Sequence, residues 1–592
     1  MEREREKKVP GLDRFLEAAF RVLDSNRVRW PLALAVGVFL WAMSLPPYGW
    51  GILGVFAFIP ILYVLPDVRP VRAALWGWAG GTAWQLATLW WLVPTIVRYG
   101  SINIFVACLL ILLLCMLLGL YMAGFLWTLS FLVYRGLGDY ALLMAPFAWV
   151  LWEWLQGHLF TGFPWWGPGY ALSLYTPLLQ DARLFGILGL SFLAVLLATA
   201  VAMWLRNRRS PLMIRLLPLT LILFAAAFFW GYRWEKGPVD SGPAYRVGYL
   251  QPNISQDEKW NRASAKKIMQ RLLLLSRVFH DYRLKLLVWP ESCTPFSWDE
   301  DPAFKTLVGN LSHTIDAPIL LGTELKKGDR YQNGAVVVLP DGSEGGRYAK
   351  THLVPFGEYV PLRKLFFFAK PIVQEVGDFE PGHSLEPLKI NGAKVGVTIC
   401  FEAIFPELVR QEVRNGAHLL VNISNDAWYD GTPGPIQHFL IERVRAVETG
   451  RYLVRSANGG ISGVVDPHGS LVMSTPQGEA ASFWGEAHLR TQTTLFTKIG
   501  DWWLFIPLLL VLFAATLGGR PFSHCVGRVA VGSHVGAEPF RTQDLWRRWA
   551  FPGETAPPGS RLPWRIRSLQ GDSRILEARL LPVAGKTERS GI

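Results

Sequence analysis

Hydrophobic positions are unevenly spread along this chain. They run almost unbroken from residue 30 to 232 and again from 502 to 518, whereas 240–495 mixes polar and apolar positions as a water-facing domain does. A membrane-crossing helix needs about 20 mostly apolar residues. Such stretches occur near 31–47, 50–66, 74–96, 104–133, 141–155, 183–205, 213–231 and 501–518, the fifth being the weakest. The pattern predicts an α-helical membrane bundle of about eight spans, seven before an inserted domain and one after it. The first span reads as retained rather than as a cleaved signal peptide, because no small-residue cleavage site follows it and further spans come directly after.

Within 245–495, short β-rich runs alternate with amphipathic helical ones, which predicts a layered α/β domain. "YRVGYLQPN" reads as the first strand, "KWNRASAKKIMQRLLLLSRVFHDY" as a helix, and "KLLVWPES" as a strand ending in a carboxylate. "PILLGTEL", "AVVVLP", "GGRYAK" and "AKVGVTICFE" supply further strands. The helix "PELVRQEVRNG", the strand "HLLVNISND", a long helix at 435–455 and a hairpin around "VVDPHGSLV" complete the series. In the long helix Ile436, Phe439, Leu440, Val444 and Val447 recur at helical spacing, predicting one face packed on the sheet.

Charge sets the orientation. The N-terminus, Arg69 and Arg72, Arg135, and the group Arg206, Arg208, Arg209 and Arg215 all fall on one side of the predicted spans. Cytoplasmic loops carry the excess of Lys and Arg. The expected organisation is therefore a cytoplasmic N-terminus (1–29), a seven-span bundle (30–232), an extracytoplasmic domain (233–500), a last span (501–518) and a cytoplasmic tail (519–592). The net charge of +13 lies largely in those loops and the tail, and nucleic acid is not an expected partner. The tail is rich in Gly, Pro, Ser and Arg, a composition of disordered segments.

Nucleotide and metal chemistry find little support. No G-x-G-x-x-G or P-loop pattern follows a strand, and the histidines and cysteines lack zinc spacing. No cofactor and no metal are expected. Of the five cysteines, Cys293 and Cys400 share the domain, and a disulfide between them is the alternative to chemistry at either. Glu291, Lys350 and Cys400 each stand at the end of a predicted strand, where α/β sheets gather reactive groups. A thiol with an ordinary pKa near 8.5 needs a base, and an acyl oxyanion needs a cation or hydrogen-bond donor. Glu291 and Lys350 are of the right types. Cys293, two residues after Glu291, is a rival nucleophile that a strand would point the same way.

"VWPES", "RYAKTHLVPFGEYVP" and "GVTICFEAIFPE" resemble the Glu, Lys and Cys motifs of the nitrilase, or carbon–nitrogen hydrolase, superfamily. Together with "LQPNISQDEKW", "VNISNDAWYDGTPGPIQH" and the flanking spans, they resemble the apolipoprotein N-acyltransferase family over roughly 30–518. The resemblance implies a nitrilase-like αββα sandwich on the outer face of a bacterial inner-membrane bundle. It implies transfer of an acyl chain from a phospholipid donor, through a Cys400 thioester, to the α-amine of a diacylated apolipoprotein acceptor. Glu291, Lys350 and Cys400 would be catalytic, Glu358 and Glu402 would support them, and Trp260 and Trp428 would meet substrate. Phe401 stands where tyrosine is common in the family. The segment "TGFPWWGPGYAL" is read either as an interfacial aromatic belt or as a lipid access groove. Competing readings are a membrane-tethered nitrilase-type amidohydrolase and a catalytically silent scaffold; the presence of all three motif residues opposes the scaffold.

Overall fold

In-out alternation sorts twelve short strands into two six-stranded sheets in the computed structural model, which describes residues 26–239, 242–259, 262–361 and 379–517. The first runs β12 (Ala481–His488), β1 (Ala244–Gln251), β2 (Leu286–Val288), β3 (Ile319–Lys327), β4 (Arg330–Val338), β5 (Glu344–Ala349). The second runs β11 (Leu471–Ser474), β10 (Gly463–Val465), β9 (Leu453–Ala457), β8 (Leu419–Ser424), β7 (Ala393–Ile399), β6 (Leu388–Ile390). Parallel strands sit at the centre of each, β1–β2–β3 and β7–β8–β9, with antiparallel strands outside.

Register makes the layers. Val247, Tyr249, Val288, Leu320 and Val337 of the first sheet share one core with Val397, Ile399, Val421, Ile423 and Val454 of the second. The alternate positions Leu250, Leu287 and Leu321 face Ile268, Leu272 and Val308 on the helices Ala265–Arg277 and Pro302–Ile315. Leu420 and Leu453 meet Val409, Val413 and Phe439 on the helices Pro406–Arg414 and Gly434–Thr449. The domain is thus the expected α/β sandwich, helix–sheet–sheet–helix. The Pro302–Ile315 helix, β6 and β12 were not anticipated; β12 is completed only by pairing with β1, more than two hundred residues earlier in the chain.

The helix expected at 435–455 is shorter. Gly450 takes φ +66° and ends it at Thr449, so that 453–457 becomes β9. Nor does it carry one apolar stripe. Phe439 and Ala446 face the sheet, whereas Ile441, Val444 and Val447 join the core of the apolar helices. A helix buried on two faces cannot be read as amphipathic.

Among the described residues, four helical runs are long and apolar enough to cross a membrane by length and composition: Ile104–Thr161, Ala182–Arg206, Pro211–Glu235 and Leu495–Thr516. Val28–Ser44 and Ile52–Asp67 are shorter apolar helices. Helix Pro70–Leu89 is diluted by Gly, Thr and Gln. Its glycines serve packing: a Cβ on Gly81 would lie 2.9 Å from the Gly119 carbonyl, so the Pro70–Leu89 and Ile104–Leu132 helices approach through small residues. The N-terminal segment to residue 25 and the tail 519–592 lie outside the described residues.

Ile423 is fully buried between the sheets, and Ile423→Ala is expected to cost about 2–5 kcal/mol. The check is the tryptophan-fluorescence melting midpoint of detergent-purified protein, which should fall by several degrees.

Candidate active site

Where β7 ends, Cys400 adopts φ +52°, a left-handed conformation that costs a non-glycine residue about 1–3 kcal/mol. One buried carboxylate over-determines it. Glu402, fully shielded from solvent, accepts the Ile399 N–H at 2.7 Å, the Thr351 N–H at 2.6 Å, the His352 N–H at 3.1 Å and the Tyr348 hydroxyl at 2.9 Å. The cysteine turn and the segment after Lys350 are thereby tied to the same two oxygens.

Lys350 follows β5 and is 1% exposed. Its Nζ lies 2.9 Å from Glu358 Oε1 and 3.4 Å from Glu291 Oε1. Asn333 on β4 donates Nδ2 to both carboxylates at 2.7 Å, and the Val354 N–H holds Glu358 Oε2 at 2.8 Å. Burial alone disfavours the ammonium, but Glu358, Glu291 and Cys400 outweigh it and raise the Lys350 pKa well above its ordinary value. Lys350 is a fixed cation. Burial pushes the Cys400 thiol up, Glu291 pushes it further, and Lys350 opposes them. Glu291, Lys350, Glu358 and Cys400 therefore form one electrostatically coupled group.

Glu291 reaches it from a turn. β2 stops at Val288 and Ser292 has φ +39°, so strand alternation does not apply and the expectation that Cys293 shares the side of Glu291 fails. Cys293 is fully buried in the helix-side core with Trp289, Trp298 and Phe304, and burial raises its pKa to about 12. Cys293 and Cys400 are both free thiols. Gly322 on β3 makes the close approach possible: a Cβ there would stand 2.6 Å from Glu291 Cα and from the Pro290 carbonyl.

Phe401 packs edge-on against Phe405 at 5.2 Å between ring centroids and reaches Phe163 of the segment between helices at 6.2 Å. Trp428 meets Tyr99 edge-on at 4.9 Å, and its carbonyl accepts from Thr95 at 3.1 Å. Trp260 lies outside the described residues. Trp165 and Trp166 are 5% and 2% exposed, too buried for a lipid-facing belt. They line a cleft between apolar helices and the α/β domain that Phe405 also borders. Trp165 and Trp91 donate to Gln437 Oε1 at 2.8 and 3.2 Å, pinning the Gly434–Thr449 helix.

Three elements of the site were missed in the sequence. Asn333 lies in the polar first half of β4, ahead of its apolar run. Lys259, buried, faces Glu291, Cys293 and Glu324. Asp426, His438, Glu442 and Arg455 form a buried ion-pair network. Cys400 Sγ, an Asp426 oxygen and a His438 nitrogen lie within 4.8 Å of one another, a donor set of metal-binding type. Asp426, however, is committed to Arg455 at 2.7 Å and His438 at 3.0 Å, which makes this an ion-pair network rather than an open coordination site.

Comparison with known proteins matches residues 246–487 to the carbon-nitrogen hydrolase family and residues 37–200 to the apolipoprotein N-acyltransferase N-terminal domain. The apolipoprotein N-acyltransferase of Geobacter metallireducens is 34% identical over 501 residues, covering 81% of this chain and 95% of that one. That of Methylococcus capsulatus is 32% identical over 484 residues, covering 80% and 92%.

Gly322→Ala is expected to displace Glu291, and a misplacement near 1 Å costs on the order of 10² in rate. Mass spectrometry of Cys400 acylation by a small activated ester should show that loss.

Proposed function

The chain belongs to the apolipoprotein N-acyltransferase family, and from that premise we propose a ping-pong transfer in which Cys400 carries the acyl chain. It is an acyltransferase associated with membrane through its apolar helices. One observation carries the fuller reading: Phe401, next to the thiol, packs on Phe163 between the apolar helices, so Cys400 stands where the domain meets the bundle. Long-chain lipids leave a bilayer at a cost of about 0.8 kcal/mol per methylene. A thiol for lipid substrates belongs at that junction; a thiol for small soluble amides gains nothing from it.

In the first half-reaction Glu291 takes the Cys400 proton and the thiolate attacks the ester carbonyl of a phospholipid. Lys350 stabilises the resulting oxyanion. Collapse breaks the carbon–oxygen bond, Glu291 returns the proton to the leaving glycerol oxygen, and a lysophospholipid departs from the thioester. In the second half the free α-amine of a diacylglyceryl-cysteine attacks, loses its proton to Glu291, and expels the thiolate, leaving an amide. Glu358 and Glu402 position Lys350 and the cysteine turn, and Trp260 and Trp428 meet substrate. The cleft beside Trp165 and Trp166 takes acyl chains.

The domain limits 1–29, 30–232, 233–500, 501–518 and 519–592 are part of the same reading. The Ile104–Thr161 run breaks at Gly136, φ +107°, which supports two crossings from it. With Val28–Ser44, Ile52–Asp67, Pro70–Leu89, Ala182–Arg206 and Pro211–Glu235 this makes seven spans before the domain and one after. Arg206 pairs with Asp67 at 3.1 Å and Asp139 at 3.2 Å, gathering three connections at one end. Their arginines support a cytoplasmic side, with the domain facing the periplasm of an inner membrane.

Reporter fusions at 209 and 300 are expected to report opposite compartments; a shared compartment refutes the orientation. Purified protein given phospholipid and no acceptor should gain one acyl mass on Cys400, removable by hydroxylamine. Cys400→Ala should abolish it and Cys293→Ala should not, while Glu291→Gln and Lys350→Ala should slow it by roughly 10² or more. A diacylated lipopeptide with a free N-terminus should discharge the adduct as amide. Release as free fatty acid at an unchanged rate would instead identify an amidohydrolase-type thioester hydrolysis.

A further inference from the structure

Next to Cys400, with ligand atoms of Asp426 and His438 within 4.8 Å of its sulfur, lies a second set of charges that the acyl-transfer steps do not use. Asp426 follows β8, Arg455 lies on β9, and His438 and Glu442 lie one turn apart on the Gly434–Thr449 helix. All four are 0–2% exposed. Arg455 Nη2 donates to Asp426 Oδ2 at 2.7 Å and Arg455 Nε to Glu442 Oε2 at 2.7 Å. His438 Nδ1 stands 3.0 Å from Asp426 Oδ1 and 3.2 Å from Arg455 Nη2, while Nε2 stands 2.9 Å from Glu442 Oε1, off the ideal hydrogen-bond line. Ser424 also donates to Asp426, at 2.9 Å. The Trp165 ring lies over His438 at 5.9 Å between centroids.

The protonation of His438 follows from its neighbours. A neutral imidazole has one N–H and would leave a lone pair facing one of the two carboxylates, whereas the imidazolium sets a positive charge within 3.0 Å of both, although its Nδ1–H then also faces the Arg455 Nη2 donor at 3.2 Å. Asp426 and Glu442 with Arg455 and charged His438 sum to zero, which is what complete burial demands. Burial disfavours the imidazolium, but Glu442 and Asp426 overcome it and raise the His438 pKa to about 9. Because Asp426 lies within 4.8 Å of the Cys400 sulfur, an uncancelled aspartate there would repel a thiolate.

We propose that this four-residue set is a charge-balancing, positioning device for Cys400: charged His438, held between Asp426 and Glu442, cancels the repulsion that Asp426 would exert on the Cys400 thiolate. The inference rests on the reading of Cys400 as the acyl carrier. Cys400 is faced by Glu291, Lys350, Asp426, Lys259 and Tyr429. His438 is faced by Asp426, Glu442, Arg455 and the Cys400 thiol. Removing His438's charge leaves the set at −1 and must raise the pH at which Cys400 ionises. Removing Asp426's charge must lower it.

The test is the pH dependence of iodoacetamide alkylation of Cys400, read by peptide mass spectrometry on full-length protein in detergent without lipid substrate. His438→Gln is expected to raise the midpoint by about one pH unit or more, as for a charge removed within a few ångströms. Asp426→Asn is expected to lower it, and the doubly substituted Asp426→Asn, His438→Gln protein, neutral again, to return close to wild type. A structural role predicts slower alkylation with an unmoved midpoint, and that result, or a shift of the opposite sign, overturns the proposal. Should His438→Gln fail to fold, the isosteric Asp426→Asn decides alone, and a midpoint that does not fall overturns it. Absence of the acyl adduct from wild type refutes the carrier role; an adduct with unmoved midpoints refutes only this inference.

Discussion

A lysine ammonium 1% exposed to solvent is the constraint around which the site is built. Taking such a charge out of water costs several kcal/mol unless its partners are placed well, and an uncompensated partner costs about 3–5 kcal/mol. Lys350 is therefore tolerable only with Glu358 at 2.9 Å and Glu291 at 3.4 Å. Those carboxylates repel each other, and the Asn333 amide between them, donating to both at 2.7 Å, fixes their separation. The demand then propagates outward. Gly322 has no Cβ because Glu291 needs the space, and Glu402 spends its oxygens on the backbone that carries Lys350 and Cys400. What results is a buried ammonium and two carboxylates whose positions are fixed in advance by their hydrogen bonds.

The attachment of this site to the apolar helices is equally physical. The Gly434–Thr449 helix is packed on the sheet through Phe439 and Ala446 and on the bundle through Ile441, Val444 and Val447. Trp165 and Trp91 bond to the same Gln437 oxygen. Core-like packing of this kind leaves the domain little freedom to move away from the bundle, and Phe401 completes the contact beside the thiol. The family's chemistry and its membrane frame are joined by a continuous core.

Much of this was legible in the residue pattern. Period-two runs marked most of the central strands, and "VWPES", "RYAK" and "VTICFE" placed Glu291, Lys350 and Cys400 at strand ends. Local signals failed where a residue answers to distant partners. The single apolar stripe read on the Gly434–Thr449 helix divides between two cores. Strand alternation misjudged Cys293, because the chain turns at Pro290 before reaching it. The eight apolar runs read in the sequence outnumber the four helical runs that, among the described residues, are long and apolar enough to cross alone; in helix Pro70–Leu89 the glycines that let it approach its neighbour also lower its hydropathy.

By itself the sequence determined which segments are apolar enough to seek lipid, which alternate as strands, and where a thiol, a carboxylate and an ammonium stand close to strand ends, because those properties belong to side chains and their near neighbours. Only the tertiary structure decided that Asn333 bridges Glu291 and Glu358, that Glu402 ties the Lys350 segment to the cysteine turn, and that Asp426, His438, Glu442 and Arg455 meet near the thiol. These groups are separated by tens of residues and come from different strands and helices. Hydrogen bonds and ion pairs act over about 3 Å, so no reading of composition or periodicity along the chain brings such partners together.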